Sequence, residues 1–558
     1  MRICSLLLTS ALAVALLSSA AHAAVIISTN PTQNMSCSGG VCTPTAKNAV
    51  LNVDDLQALL AAGNVKVLSS KLSPDISLNA ALSWTNGSRL TLDSYRSLYF
   101  RQTMTVAGTG AVTLKTNDGG SGGQLLFFPG GKLDFWDTAS NLTIDGNRFV
   151  LVKDLRTLSQ NIREKPHRNY ALAKDCDAKT HGRYRNSPIG VLDSIFEGLG
   201  HTIDNVTIEA APKAYVVALF GRLTVGATAR DIQVTNVGIT DETSSPHYVA
   251  MLAAINEGSI VNASAEGKIV AGTQYGEAVG GLVALNGVEG GLISNSRATS
   301  SILIRADSNT EAGGLAGYNY RAIENSYASG AVTGGIVAGL VSSNRSAAGH
   351  IGTISHSRAS VTIKTNGVTG GRGAGLVGFN AGGVIADSSS SGSVVATDLD
   401  DDAGGLVGAS DGGATITRSF STGSVEGAQY AGGLIGKNSG QIVDSYALGP
   451  VSGNSSAVIG GLVGSHSGGS VKLSYSIGQV SGGSAGDAGG LIGKSGAQTD
   501  QSYWDIDTSG RTQSAGGIGL SDAQLRSGLP DGFDPKIWAS DPNVNNGYPY
   551  LLANPPPK

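Results

Sequence analysis

Charge is scarce in this chain. Asp, Glu, Lys and Arg make up 14% of 558 residues, and the net charge is −4. That mildly acidic balance excludes the basic footprint of a nucleic-acid binder, or of a protein that sits on an anionic membrane. Aromatic residues are equally thin, at 5%. Beyond the first residues no apolar run is long enough to span a bilayer. The eight histidines form no His-Glu-x-x-His pattern. His350 and His356 share one repeat and His466 falls in a distant one, so they read as isolated turn positions rather than metal ligands. Cysteine is limited to Cys4, Cys37, Cys42 and Cys176, too few and too dispersed for a zinc site.

The start reads as an export signal. Arg2 supplies a short positive region, Leu6 to Leu17 an apolar core, and Ala21-His22-Ala23 a small-x-small cleavage site. Residues 1–23 are therefore expected to be removed, and Cys4 with them. Cys37 and Cys42 bracket Ser-Gly-Gly-Val, a flexible span able to close a small disulfide in an oxidising compartment. Cys176 lies between Asp175 and Asp177; on a strand, the carboxylates would face out and the thiol in. The expected location is secreted or cell-surface, with the periplasm also open.

Glycine, by contrast, is abundant, at 80 residues. A glycine-leucine phrase returns through the second half: Gly313-Gly314-Leu315-Ala316-Gly317, Gly404-Gly405-Leu406-Val407-Gly408, Gly432-Gly433-Leu434-Ile435-Gly436, Gly460-Gly461-Leu462-Val463-Gly464 and Gly489-Gly490-Leu491-Ile492-Gly493. Weaker copies surround Leu219, Leu252, Leu282, Leu340 and Leu376, and successive leucines are 25 to 36 residues apart. Such a period means stacked units, each burying its apolar face only against its neighbours. The second half of each unit repeats too: Ser326-Tyr327-Ala328 returns as Ser419-Phe420-Ser421, Ser445-Tyr446-Ala447 and Ser474-Tyr475-Ser476. On a strand, Ser and Ala share one face and the ring takes the other. Equivalent residues would then align from rung to rung, with glycines taking positive-φ corners. Because every unit repeats in the same chain direction, parallel pairing between coils is expected.

The organisation read from this pattern is a signal at 1–23, a polar leader at 24–47 and β-solenoid coils at 48–150. A basic insertion and lead-in follow at 151–210, then repeats at 211–502 and a C-terminal cap and tail at 503–558. Within 48–150, Val65-Lys66-Val67, Leu90-Thr91-Leu92, Met104-Thr105-Val106, Val112-Thr113-Leu114 and Leu142-Thr143-Ile144 alternate at period two. Asn86-Gly87, Asp118-Gly119-Gly120 and Asp145-Gly146 mark turns. Lys153 to Arg185 carries nine basic against four acidic residues, which reads as a solvated, irregular insertion, with Leu151 to Ile162 able to form a short helix. Contact with an acidic glycan is the functional alternative there. Trp504, Trp538 and Tyr548 suit a cap over the last open edge.

The repeated phrase Gly-Gly-Leu-x-Gly-x-Asn-x-Gly-x-Ile-x-x-Ser-Tyr-Ala-x-Gly-x-Val resembles the GLUG motif of bacterial surface and secreted proteins. Ala431 to Gly453 and Ala312 to Gly334 are its fullest copies. Asn169-Tyr170-Ala171-Leu172, Phe196-Glu197-Gly198-Leu199-Gly200-His201-Thr202-Ile203 and Ser502-Tyr503-Trp504-Asp505 resemble the segments that flank such repeats. Residues 65–150 are similar in style to filamentous-haemagglutinin-like segments. The resemblance implies an all-β chain, a parallel β-helix or β-solenoid of glycine-rich repeats about 28 to 33 residues long, exported and adhesin-like. No two-partner-secretion domain, membrane barrel or wall-sorting signal is recognisable.

Chemical motifs are few. Gly408-Ala409-Ser410-Asp411-Gly412 fits Gly-x-Ser-x-Gly literally, but Ser410 takes the repeat position of Asn380 and Asn438 and lacks a strand-to-helix elbow. Asp398, Asp400, Asp401 and Asp402 would suit calcium, yet the EF-hand spacing is missing, which leaves a solvated loop. Arg297 and Arg358 replace the repeat aromatic and point to an outward cleft. No catalytic, cofactor or metal residue is assigned. The expected role is a surface scaffold contacting glycans, matrix or other cells through many shallow contacts, with Tyr318, Tyr320, Tyr327 and Tyr446 as contact residues. For Tyr327 and Tyr446 stacking within the ladder is the alternative. A polysaccharide lyase or hydrolase, or a glycan-binding β-helix, is the rival reading; it needs convergent carboxylates and arginines on a groove.

Overall fold

The structure, a computed structural model, describes residues 23–241, 248–272, 278–287, 289–305, 310–366, 370–396, 398, 400–427, 429–484 and 486–557. All of the expected export signal except Ala23 lies outside the described residues. The chain divides into two compact units, Met1–Phe149 and Val150–Lys558.

In the first unit, each alternating stretch is a strand. Val41–Pro44, Val65–Leu68, Arg89–Asp93, Ala111–Lys115 and Asn141–Ile144 pair in parallel, rung on rung. Leu82–Trp84, Thr103–Val106 and Lys132–Phe135 build a second parallel face. The expected polar leader is corrected here. Ala24–Ser28 lies between Ala49–Asn52 and Asp75–Leu78, parallel to both, with Val25 and Ile27 fully buried. Its β-branched run Val25-Ile26-Ile27 suits a strand paired on both edges, and the sheet completes it. The hairpin Met35–Ser38/Val41–Pro44 follows, and in it Cys37 and Cys42 are direct cross-strand partners joined by a disulfide. Asp145 and Gly146, at φ 46° and 82°, make the two-residue turn of an antiparallel hairpin pairing Leu142 with Phe149.

The second unit is a parallel β-solenoid whose coils pass through four sheets, with the fourth-sheet strand split in two in the later coils, as at Phe420–Ser421 and Val425–Gly427. One coil runs through Glu311–Gly313, Ala316–Asn319, Ala322–Glu324 and Tyr327–Gly334. Each strand pairs in parallel with its equivalent in the next coil: Ile336–Ala338, Val341–Ala347, Thr353–Ser355 and Arg358–Thr365. The ten anchor leucines, Leu219 through Leu491, are fully buried. Their backbones join rungs, as Leu282 N donates to Leu315 O at 2.8 Å and Leu406 N to Leu434 O at 2.8 Å.

The glycines of the repeated phrase act through close approach, which corrects the expected positive-φ corners. A Cβ on Gly405 would lie 2.0 Å from Gly433 O, and one on Gly433 2.1 Å from Gly461 O. Adjacent coils touch backbone to backbone there. The left-handed corner falls instead between the third and fourth sheets, on non-glycine residues: Asn325 (φ 48°), His356 (48°), Asp387 (49°), Arg418 (45°) and Leu473 (51°). The serine after each corner holds it. Ser326 Oγ donates to Glu324 O at 2.8 Å while Ser326 N donates to Ser357 Oγ at 3.2 Å, and Ser357 N repeats the bond to Ser388 Oγ. A short side chain that both donates and accepts does this, which fits the Ser that the motif keeps at this place.

The basic region 151–190 is likewise corrected from an irregular insertion to a coil. Asn169–Leu172 pairs with Ile195–Glu197, Cys176–Asp177 with Thr202–Asp204, and Ile189–Leu192 with Phe220–Leu223. The helix Leu155–Glu164, N-capped by Asp154, buries Leu155, Leu158 and Ile162 in the solenoid core. Three of the region's cations are held: Arg183 and Arg185 flank Glu209 at 2.6 and 3.6 Å, and Arg156 donates to His181 O.

Candidate functional site: a ladder half covered and half open

The fourth sheet carries the Ser-Tyr-Ala phrase, and its first outward position forms one straight row. Ser264, Arg297, Tyr327, Arg358, Ser389, Phe420, Tyr446, Tyr475 and Tyr503 are register partners from coil to coil. Ala298, Ala328 and Ala359, one position on, are buried in the core, so the small residues face in and the rings face out. The row has two halves.

Its later half is covered. Phe420, Tyr446 and Tyr475 stack with centroids 4.8 and 5.1 Å apart and planes within 9° of parallel. Residues 521–554 lie across them, contributing Leu525, Phe533, Trp538, Tyr548 and Leu551 to the same apolar cluster. Polar contacts fix the crossing: Trp538 Nε1 donates to Asp444 Oδ1 at 2.9 Å, and Tyr475 OH to Pro549 O at 2.6 Å. Burial pushes the Tyr446 and Tyr475 hydroxyls well above the usual phenol range and raises Asp444, which the Trp538 N–H opposes. The C-terminal region thus does more than hide an edge. Trp504 enters the solenoid core at the last coil, whereas the segment after Leu520 runs back along the lateral face. It reaches Asn554, whose Nδ2 donates to Ser388 O and Arg418 O.

One rung further, at Arg358, the face is open. Strands Gln233–Thr240, Ser264–Ala271, Arg297–Ile304, Tyr327–Gly334 and Arg358–Thr365 present a five-rung sheet eight residues wide. Arg297 is exposed; Tyr327 and Arg358 are half-buried.

Tyr318 and Tyr320 belong to a different place: Tyr318 is on the second sheet and Tyr320 just beyond its strand Ala316–Asn319. The Arg345 guanidinium lies 4.3 Å over the Tyr318 ring and pairs with Glu311 at 2.8 Å, and Ser342 and Ser343 donate to the same carboxylate. Burial raises the Tyr318 hydroxyl above its ordinary range. Of the two readings open for Tyr446, stacking within the ladder is the one observed: it is fully buried. A depression of about 400 Å³ lies where the second sheet turns to the third, lined by Glu257, Glu289 and Arg321 among others. Arg222 pairs with Glu257 beside it, and Arg321 donates to Glu289 O at 2.9 Å.

Ser410 is buried, and its hydroxyl donates to Asn438 Oδ1 at 2.7 Å. It belongs to a row that sequence reasoning missed. Asn256, Asn286, Asn319, Asn344 and Asn380 are fully buried, and each of the first four donates from Nδ2 to the next one's Oδ1 at 2.8–3.0 Å. The signal was present, since each stands four residues after an anchor leucine. His466 continues this row rather than a turn. Asn438 Nδ2 is 3.2 Å from its Nδ1, and its Nε2 is 3.1 Å from Gln498 O. An amide donor on one side and a carbonyl on the other select the neutral Nε2–H tautomer, and burial lowers the ring's pKa. His356 takes a left-handed corner, and His350 Nε2 lies 3.1 Å from Arg321.

The expected solvated acidic loop is corrected at Asp401 and Asp402, while Asp400 is exposed. Asp401 is fully buried and neither carboxylate oxygen has a hydrogen-bond partner among the described residues; burial raises its pKa. Asp402 is pushed up to about 6 by burial, against the pull of Arg372. Among the described residues no group of three or more His, Cys, Asp or Glu is placed to hold a metal ion. Cys176 is buried, with its thiol raised by burial and Asp175 and Asp177 exposed. No described helix is long and apolar enough to cross a membrane.

Residues 308–333 match the family described as the GLUG motif. No curated protein matches the chain. Among solved structures, a candidate immunoglobulin A1 protease from Bacteroides ovatus is 16% identical with a TM-score of 0.27, over 73% of this chain and 92% of that one. An IgA1 protease is 17% identical with a TM-score of 0.28, over 59% of this chain and 21% of that one. With the motif at 308–333 falling on the coil that contains Leu315, Asn319, Ser326 and Tyr327, the chain is a GLUG-motif repeat protein folded as a parallel β-solenoid.

Proposed function

We propose that this chain is an exported, adhesin-like scaffold that contacts a surface, a matrix or a glycan through its lateral faces. One observation carries the reading. The fourth sheet is covered by residues 521–554 over its later coils and left uncovered over five consecutive earlier ones, Gln233 to Thr365. A flat, regular sheet offers many equivalent shallow contacts, so strength comes from repetition. The Cys37–Cys42 disulfide supports an oxidising compartment, and with it export.

The depression lined by Glu257, Glu289 and Arg321 favours a second reading, an enzyme acting on polysaccharide, because paired acids and a guanidinium on a groove are what such chemistry uses. One experiment separates the two. Purified Ala24–Lys558 is incubated with neutral and acidic polysaccharides while chain length is followed by mass. Retention of a polymer without shortening is expected. Shortening of any polymer, abolished in Glu257→Gln, would replace the scaffold reading with the enzymatic one.

A further inference from the structure

We infer that the open half of the ladder is a binding site for an acidic polysaccharide whose carboxylate or sulfate groups recur on alternate sugars. The inference rests on the contact-face reading and names the ligand class for it. Arg297, Tyr327 and Arg358 stand on three consecutive rungs in strict register. Parallel rungs are about 4.8 Å apart, so the two arginine positions repeat at about 10 Å, with the tyrosine midway. That spacing is comparable to two sugar units of an extended chain. A polymer lying along the solenoid would set one anionic group against each guanidinium and the apolar face of the sugar between them on the Tyr327 ring.

The charge balance of the face agrees. Lys268 and Lys364 are outward-facing on the same sheet, and Glu266 is the acid among its outward positions. Four cations against one carboxylate is a local excess of positive charge on a chain of net charge −4. None of the four cations has an ion-pair or hydrogen-bond partner among the described residues. In the Lys153–Arg185 region, by comparison, Arg183 and Arg185 are occupied by Glu209. Neutral hydroxyls from Thr299, Ser301, Ser329, Ser360 and Thr362 share the surface with the apolar Val270, Leu303 and Ala331. A guanidinium presents planar, bidentate donors to carboxylate or sulfate, which a lysine row would lack.

The residue placed at the same row position one coil later is Ser389, and the row then passes under residues 521–554. The open site is therefore bounded: at Arg358 by the docked Asn554, and at Ser264 by the end of the charged positions.

The test uses the whole chain, Ala24–Lys558, with four immobilised polymers: hyaluronan (a carboxylate on every second sugar), chondroitin sulfate (carboxylate and sulfate), dextran (neutral) and poly-dT. Binding to hyaluronan or chondroitin sulfate that falls as salt rises is expected. Arg297→Ala and Arg358→Ala should each weaken it about ten-fold, the worth of one hydrogen bond to a charged group. Tyr327→Ala should weaken it while Tyr327→Phe does not. Equal binding by the double arginine variant would overturn the inference, as would tighter retention on poly-dT or on dextran. Adhesion of the wild-type chain to cell layers and to bare plastic is scored in parallel. Adhesion there without acidic-polymer binding would sink this inference and leave the contact-face reading intact; no adhesion anywhere would sink both.

Discussion

Phe420 and Tyr446 stack face to face with ring centroids 4.8 Å apart and planes 4° from parallel, yet the Tyr446 hydroxyl finds no hydrogen-bond partner among the described residues. The next ring in the row, Tyr475, is equally buried but donates to Pro549 O and accepts from Asn545 Nδ2. Two tyrosines at equivalent places should therefore respond oppositely to loss of the hydroxyl. Tyr446→Phe removes a desolvated, unsatisfied group and should leave stability unchanged or slightly higher. Tyr475→Phe removes two hydrogen bonds, although Asn545 Nδ2 still donates to Pro549 O, and should lose about 1–2 kcal/mol. Denaturant midpoints of the two variants check this, and equal losses would mean that Tyr446 is satisfied in solution.

Backbone contact between coils sets a second contrast. Gly433→Ala would put a Cβ 2.1 Å from Gly461 O and 2.9 Å from the Ala447 methyl, so a whole coil must shift. A loss of about 3 kcal/mol or more is expected. At Gly412, exposed and with Ser439 O at 3.8 Å as the nearest neighbour, the same change should stay within about 0.5 kcal/mol. Thermal melts of the two variants measure the difference. A tolerated Gly433→Ala would mean that the coils are spaced more widely than the register requires.

That contrast also shows what was legible in the sequence and what was not. The spacing of Leu315, Leu406, Leu434 and Leu462 announces a stacked coil, and a core ladder is what they make, because each leucine has only its counterparts above and below to pack on. The same repetition hid the reason for the glycines. Gly405 and Gly433 look like corner residues in one dimension, but whether a glycine serves φ or proximity depends on what the next coil brings against it. The corners fell on Asn325, Arg418 and Leu473, a set with no common side chain, held by the serine that follows. The lateral face was less legible still. Tyr327 and Tyr446 occupy the same place in the repeat and differ only because residues more than 70 positions away in sequence, Trp538 and Tyr548, fold back over one of them. Contacts of that range leave no period to read. Asn319 and Asn344 did leave one, four residues after each leucine, but a polar residue at fixed spacing reads as a turn until the neighbouring coil turns it into a donor for the next amide.

His466 provides a pH test of that amide row. Its ring is neutral between Asn438 and Gln498, and burial lowers its pKa below the ordinary 6.5. Above 6.5 neither the folded nor the unfolded ring carries a proton, and the row is intact. As pH falls below 6.5 the unfolded state takes up the proton first, so stability is lost progressively until the folded pKa is passed. His466→Asn restores the amide found at equivalent places and should remove this part of the acid sensitivity. Denaturant titrations of both chains from pH 7.5 to 5 give the comparison. Parallel curves for the two would show that His466 is not the titrating group.

Residues 521–554 give the last prediction. They shield four rings, Phe420, Tyr446, Tyr475 and Tyr503, with five apolar side chains of their own and anchor at Asp444 and Ser388. The coils beneath are held by their own ladders, through the anchor leucines and the Ser445–Ser474–Ser502 row. Truncation after Leu520 should therefore leave the β-solenoid folded, with an unchanged far-ultraviolet circular dichroism spectrum per residue. It should also expose a contiguous aromatic strip that soluble proteins rarely leave bare. Self-association by light scattering and binding of an apolar dye are expected in the truncated chain and not in the parent. Loss of β-structure would instead make the segment a condition of folding, because the covered coils would depend on the rings being packed from outside. The same logic bears on shortening the array. Removing two repeats, Ala403 to Val458, deletes Phe420, Tyr446 and Asp444 together. The coils can close up in register, but the returning segment loses half of the row it packs on and the acceptor for Trp538. The shortened chain should keep its β-structure yet bind the dye, whereas complete unfolding would count against independent stacking of the coils.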